Sequence, residues 1–116
     1  MILLRYGTTV RMSQAVAYGG VVYLAGQVSD APDVAAQTRD ILEKIDTLLT
    51  QAYSDRSRML SATLWLADIG DYDAVNAIWD AWVPSGTAPV RACVESRLAG
   101  DVFRVEIGVI AALREE

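Results

Sequence analysis

The chain has 116 residues, one cysteine, no histidine and a formal net charge of −5, from Lys+Arg 10 against Asp+Glu 15. These numbers describe one globular domain over residues 1–116, and they exclude His-dependent catalytic triads, His-ligated zinc and an internal disulfide. The acidic balance argues against nucleic acid as a partner, because neutralising phosphates needs a basic face, and no run of about 18 apolar residues is present to span a membrane. The opening MILLRYGTTVRM turns polar too soon after Leu4 for a signal peptide, so a cytoplasmic protein is expected.

The first clear element is a pair of apolar runs, Ala15–Tyr18 and Val21–Ala25, around Gly19-Gly20. Two glycines tolerate the positive φ of a tight primed turn, so a β-hairpin is predicted. Asp30-Ala31-Pro32-Asp33 then precedes a helical stripe of Val34, Thr38, Ile41, Leu42, Ile45, Leu48, Leu49 and Ala52. Asp30 is expected to cap this helix, with Pro32 in its first turn and Asp33 at its positive end. Met59 to Leu66 reads as a buried strand. Asp68-Ile69-Gly70-Asp71 reads as a turn, and a second helix is predicted from about Tyr72 to Val83, stopped by Pro84 and Gly86. Two last strands are expected, Val90 to about Leu98 and Phe103 to Leu113.

The order β-β-α-β-α-β-β makes an α+β fold with two helices on one face of one sheet. Yet the last strand is apolar on both parities, with Val105, Ile107, Val109 and Ala111 one way and Gly108, Ile110 and Ala112 the other. A strand apolar on both sides needs cover on both faces. Two helices cover one, so a homo-oligomer with its open sheet faces turned inward is expected.

The chemistry concentrates in the last third of the chain. In Val90-Arg91-Ala92-Cys93-Val94-Glu95, alternation puts Arg91, Cys93 and Glu95 on one face. Glu106 stands inside an otherwise apolar run, where a carboxylate is costly unless paired or hydrogen-bonded. Adjacent antiparallel pairing of the two last strands would bring Arg91 and Glu106 together. From the residues alone they read either as a structural ion pair at a subunit interface, or as a carboxylate-binding fork beside a proton-moving group. Cys93 has no histidine to activate it and reads as a small apolar side chain. Trp65, Trp79 and Trp82 read as packing residues, Asn76 as a helix-to-loop hydrogen bond, Arg11 and Arg97 as solvated cations, and Asp71 and Asp73 as helix-start charges.

Several segments together resemble the RidA/YjgF family of reactive-intermediate deaminases, also known as L-PSP endoribonucleases or translation inhibitors. They are Ser13-Gln14-Ala15-Val16, Ala25-Gly26-Gln27, Gln37-Thr38, Thr63 to Asp68, Asp71-Tyr72, Val75-Asn76, Pro89 to Glu95 and Val105-Glu106-Ile107. The interval from Arg91 to Glu106 is similar to the family's own. The short length, Trp79 to Val83 and Ala88 to Arg91 resemble the small YoaB-like members. The resemblance implies a chorismate-mutase-like fold, a homotrimer around a central barrel, and sites in clefts between subunits. It implies hydrolysis of 2-enamine or 2-imine acids to 2-keto acids and ammonia, without cofactor or metal. In that scheme Arg91 binds the substrate carboxylate, backbone groups at Gly26 and Cys93 assist, and Glu106 positions the attacking water. Met12 takes the place of the tyrosine in the family's Gly-Pro-Tyr-Ser segment, so a phenol donor is lost and Arg11 adds a cation; the loop after Gln27 is shortened. Two alternatives stand beside this reading: a non-catalytic module that binds or senses small carboxylates such as keto acids, and the historical ribonuclease or translation inhibitor.

Overall fold

The computed structural model describes residues 1–115. Six strands, β1 (Leu4–Tyr6), β2 (Ala15–Tyr18), β3 (Val21–Leu24), β4 (Met59–Leu66), β5 (Val90–Glu95) and β6 (Val105–Ala112), form one sheet in the order β1-β2-β3-β6-β4-β5. Helices α1 (Val34–Gln51) and α2 (Tyr72–Trp82) pack together against one face of it. All pairings are antiparallel except β4 with β5, which is parallel because α2 forms the crossover between them.

The predicted hairpin is present. Gly19 and Gly20 have φ of 63° and 80°, and Tyr18 pairs with Val21 across the turn. Helix α1 begins one residue after the cap, but the cap is Asp33, whose carboxylate accepts from the Ala36 N–H at 2.8 Å; the expected Asp30 cap is not used, and Pro32 precedes the helix. The reason is local: Ala31 N–H donates to Ser29 Oγ at 3.2 Å and its carbonyl accepts from Gln37 Nε2 at 3.0 Å, which holds the residue after Asp30 outside the helix. The α1 stripe Ile41, Leu42, Ile45 and Leu49 points into the sheet, each 2% exposed or less. Asp68 caps the short 3-10 turn Ile69–Asp71 by accepting from Gly70 N–H, and Asp71 starts α2 without a side-chain cap of its own.

The core is the sandwich of α1 and α2 with the alternate residues of β4 and β6. Leu64, Leu66, Val105, Ile107 and Val109 are at most 1% exposed. Burying each such side chain contributes roughly 1.5–3 kcal/mol, so truncating Ile45 or Leu64 to Ala costs about 2–5 kcal/mol. The other parity of β6, Glu106, Gly108, Ile110 and Ala112, lies on the face without helices and is half-buried. With Trp65, Val90 and Val94 this forms a largely apolar sheet face that the chain does not cover.

Two expectations are corrected. Leu4–Tyr6 forms an extra edge strand against Ala15–Ala17, which the sequence pattern did not signal because three residues are too few to show a period. More consequentially, the two last strands are not neighbours. β4 lies between them, pairing through Ala62 with Arg91 and through Trp65 with Glu106.

Candidate functional site

Residues paired directly across a sheet share a face. Ala62, opposite Arg91, is buried under the helices, whereas Trp65, opposite Glu106, points to the open face. Arg91 and Glu106 therefore stand on opposite faces of one sheet, and no ion pair joins them within the chain. The candidate residues fall into two separate clusters, each a candidate half-site.

The first half-site is built by β5 and α2. β5 is one of the sheet's two edge strands, and Arg91 projects from it toward the helix face. Its Nη2 donates to Asn76 Oδ1 at 2.7 Å. A guanidinium only donates, so the facing amide atom must be the oxygen. Its central carbon lies 6.0 Å from the Tyr72 ring centroid and 5.6 Å from that of Trp79. Tyr72, Asn76 and Trp79 are spaced i, i+4, i+7 on α2, which places them on one stripe of the helix. Cys93, two residues along β5, is half-buried; burial pushes its thiol pKa up, and nearby Arg91 only partly opposes this. The side chain packs against the core, and the shift works against thiolate nucleophilicity.

The second half-site is on the open face. Gln27 forms a two-way backbone bridge with Ile107, at 2.9 and 3.1 Å, which carries Gly26 over the start of β6. Glu106 then packs against Gly26: a Cβ there would fall within 2.9 Å of the Glu106 Cδ, so only glycine allows this approach. Trp65 covers Gly108 beside it, where a Cβ would stand 3.4 Å from the ring. Partial burial raises the Glu106 pKa above the ordinary carboxylate range. Met12 lies in the exposed loop before β2. Its Sδ accepts from Gln14 Nε2 at 3.7 Å, and Gln14 Oε1 accepts from Gln27 Nε2 at 2.9 Å, so Met12 reaches Gly26 only through two glutamines.

None of the four ion pairs among the described residues involves Arg91 or Glu106. Clefts of about 370 Å³ beside Gln14, Gln27 and Lys44 and about 480 Å³ beside Arg97 and Phe103 are lined by neither Arg91 nor Glu106. Sequence reasoning placed Asn76 and Trp79 in structural roles and Tyr72 at the start of the second helix. It missed that they converge on Arg91, although the heptad spacing of a polar residue between two aromatics was visible.

The sequence profile of the family described as "Endoribonuclease L-PSP" matches residues 4–113. The chain belongs to this family. A RutC family protein, YoaB of Escherichia coli (strain K12), is 37% identical over 97% of this chain and 100% of its own length. The crystal structure of NMB1025, a YjgF protein family member from Neisseria meningitidis, superposes with a TM-score of 0.96 at 44% identity, covering 100% of this chain and 98% of that one. A protein from Salmonella typhimurium named 2-iminobutanoate/2-iminopropanoate deaminase is 33% identical over 87% of this chain and 86% of its own length. The expected resemblance to YjgF and YoaB proteins is thus met, and with it the two-helix, single mixed-sheet fold.

Proposed function

We propose that this chain hydrolyses 2-imino and 2-enamino acids to 2-keto acids and ammonia, in clefts between the subunits of a homotrimer, and does so in the cytoplasm. The observation that carries the reading is Arg91, a half-buried guanidinium with an ordered orientation and no carboxylate partner among the described residues. A small organic acid supplies the missing partner through two parallel hydrogen bonds. Glu106 is the matching unpaired group, with a raised pKa that makes its ionised form a stronger base.

The reaction asks little more. A protonated imine carbon is already electrophilic. Water adds to it as Glu106 takes a proton from the water; Glu106 hands that proton to the nitrogen of the resulting amino-alcohol, and ammonia leaves as the C–N bond breaks, the C=O bond forms and the hydroxyl proton returns to Glu106 and from there to solvent. Arg91 fixes the acid, Gly26 and the backbone at Cys93 shape the approach, and positioning supplies most of the acceleration. Because Arg91 and Glu106 face opposite sides of one sheet, one chain does not bring them together; a neighbour's edge strand beside the open face would. The uncovered apolar face, with Val90 and Val94 at 73% and 46% exposure, supports that assembly.

Generating 2-iminobutanoate in situ tests the reading. Wild type is expected to accelerate its loss, Arg91→Ala and Glu106→Ala are expected to lose the acceleration, and sedimentation is expected to give three chains per particle. The binding-module reading is favoured by one observation, the exposed thioether of Met12 where the family's tyrosine would stand. It gains if Arg91-dependent keto-acid binding is measured without hydrolysis. The net charge of −5 and the absence of histidine count against RNA cleavage, which works best with acid–base groups beside a basic groove.

A further inference from the structure

We infer that Asn76 is a positioning residue that keeps Arg91 electrically unsatisfied: it fixes the guanidinium through a neutral acceptor, at a place where a carboxylate would have cancelled the charge the ligand needs. This rests on the reading of Arg91 as the carboxylate-binding group. Three side chains from one helical stripe meet the guanidinium. The Tyr72 and Trp79 rings stand 6.0 and 5.6 Å from its centre, and Asn76 Oδ1 takes one Nη2 proton at 2.7 Å. Ring faces attract a cation without donating or accepting a classical hydrogen bond, so they hold Arg91 while leaving its donors free. A guanidinium has two forks, Nε with Nη2 and Nη1 with Nη2. Asn76 takes a single Nη2 proton, so whichever proton that is, one complete fork remains for a two-oxygen acid. Trp79 is 4% exposed and anchored in the core, and Tyr72 is exposed, so the cradle is rigid at one end and open at the other.

Neutrality is the distinctive element. Asn and Asp have nearly the same shape, and an aspartate at this position would make a tight ion pair with Arg91. The same helix layer shows that this chain builds such pairs elsewhere, since Arg56 is gripped by both oxygens of Asp46 at 3.0 and 2.8 Å. At Arg91 the amide holds direction and leaves charge.

The test is Asn76→Asp, with Asn76→Ala, Tyr72→Leu and Tyr72→Phe beside it, all in the full chain. Calorimetric titration with 2-oxobutanoate is expected to give a dissociation constant at least about tenfold higher for Asn76→Asp, at unreduced thermal stability. Asn76→Ala, which frees the guanidinium but keeps its charge available, is expected to lose less, about two- to fivefold. Tyr72→Leu is expected to weaken binding about twofold, and Tyr72→Phe, which keeps the ring, by less than that. Independently of any ligand, the carboxyl introduced by Asn76→Asp is expected to titrate below the ordinary Asp value of about 3.9 by NMR. Should wild type neither bind 2-oxobutanoate nor hydrolyse imines, the proposed function fails while that titration still judges the charge on Arg91. The inference is overturned if Asn76→Asp binds 2-oxobutanoate as tightly as wild type, or if its introduced carboxyl titrates at or above the ordinary value.

Discussion

Arg56 and Arg91 are two arginines laid against two tryptophans of one helix, and a single partner separates them. Arg56 lies 5.0 Å from the Trp82 ring, donates from Nε and Nη2 to both oxygens of Asp46, and donates from Nη1 to the Trp82 carbonyl. Its charge is paired, and all three of its nitrogens donate. Asp46 also accepts from Trp82 Nε1 at 3.2 Å, so the cluster ties α1 to the end of α2. Arg91 has the same aromatic support but meets an amide instead of an acid. The first arrangement is a fastening between elements. The second holds direction while leaving a net positive charge at the sheet edge. Under the proposed function, similar local geometry serves stability or binding according to whether the acceptor is charged.

The comparison breaks most sharply on the two arginines themselves. Arg91→Ala is expected to reduce kcat/KM for an imino acid by at least about 100-fold with little change in melting temperature, because a bidentate charged contact with the reacting acid is lost. Arg56→Ala is expected to do the reverse, lowering stability by about 1–2 kcal/mol with activity retained, the cost being limited because the pair is partly solvated. Steady-state kinetics alongside thermal melts of both variants checks the split; equal activity losses would remove the distinction.

Next in size is Gly26→Ala. The added Cβ meets the Glu106 carboxyl, so the carboxylate must move. A loss of at least about tenfold in kcat is expected, with about 1–3 kcal/mol of stability lost to overpacking. If Glu106 stayed put in a structure of this variant and activity persisted, the close approach would be irrelevant to the chemistry.

Smaller, and different in kind, is the pH behaviour of Glu106. Its folded pKa is raised by desolvation. The sign follows from that: protonated Glu106 favours the fold, a contribution fully present below the unfolded value of about 4.3 and lost as pH rises through the higher folded value. Glu106→Gln is therefore expected to melt slightly higher than wild type at pH 7, with the gain gone near pH 4. The same shift puts the acid limb of the pH–rate profile above the ordinary carboxylate range, since the base must be ionised. Melting curves across pH 4 to 8 and a kcat/KM profile test both signs together.

Much of the fold was legible. The glycine pair fixed the hairpin, the apolar stripe fixed α1, and the doubly apolar parity of Val105 to Ala112 exposed a face the helices do not cover. The candidate residues Arg91 and Glu106 were legible too, one as a charge on an alternating strand and the other as a carboxylate in an apolar run. Their relation was not. Chain order suggested neighbouring strands, but the crossover through α2 inserts β4 between them, and an odd offset in register sends them to opposite faces. Asn76 was read as a helix-to-loop contact for the same reason: a lone polar residue on a helix does not announce which strand it will meet.

The amino-acid sequence by itself determined the period of each element, the layout of helices against strands, the lack of histidine chemistry and the identity of the two charged residues, because these depend on residues near one another along the chain. Only the tertiary structure decided that Arg91 is cradled by Tyr72, Asn76 and Trp79, that Glu106 leans on Gly26, and that the two groups cannot meet within one sheet. Those facts depend on strand order and register, which are set by how the whole apolar core closes and by no local stretch of residues.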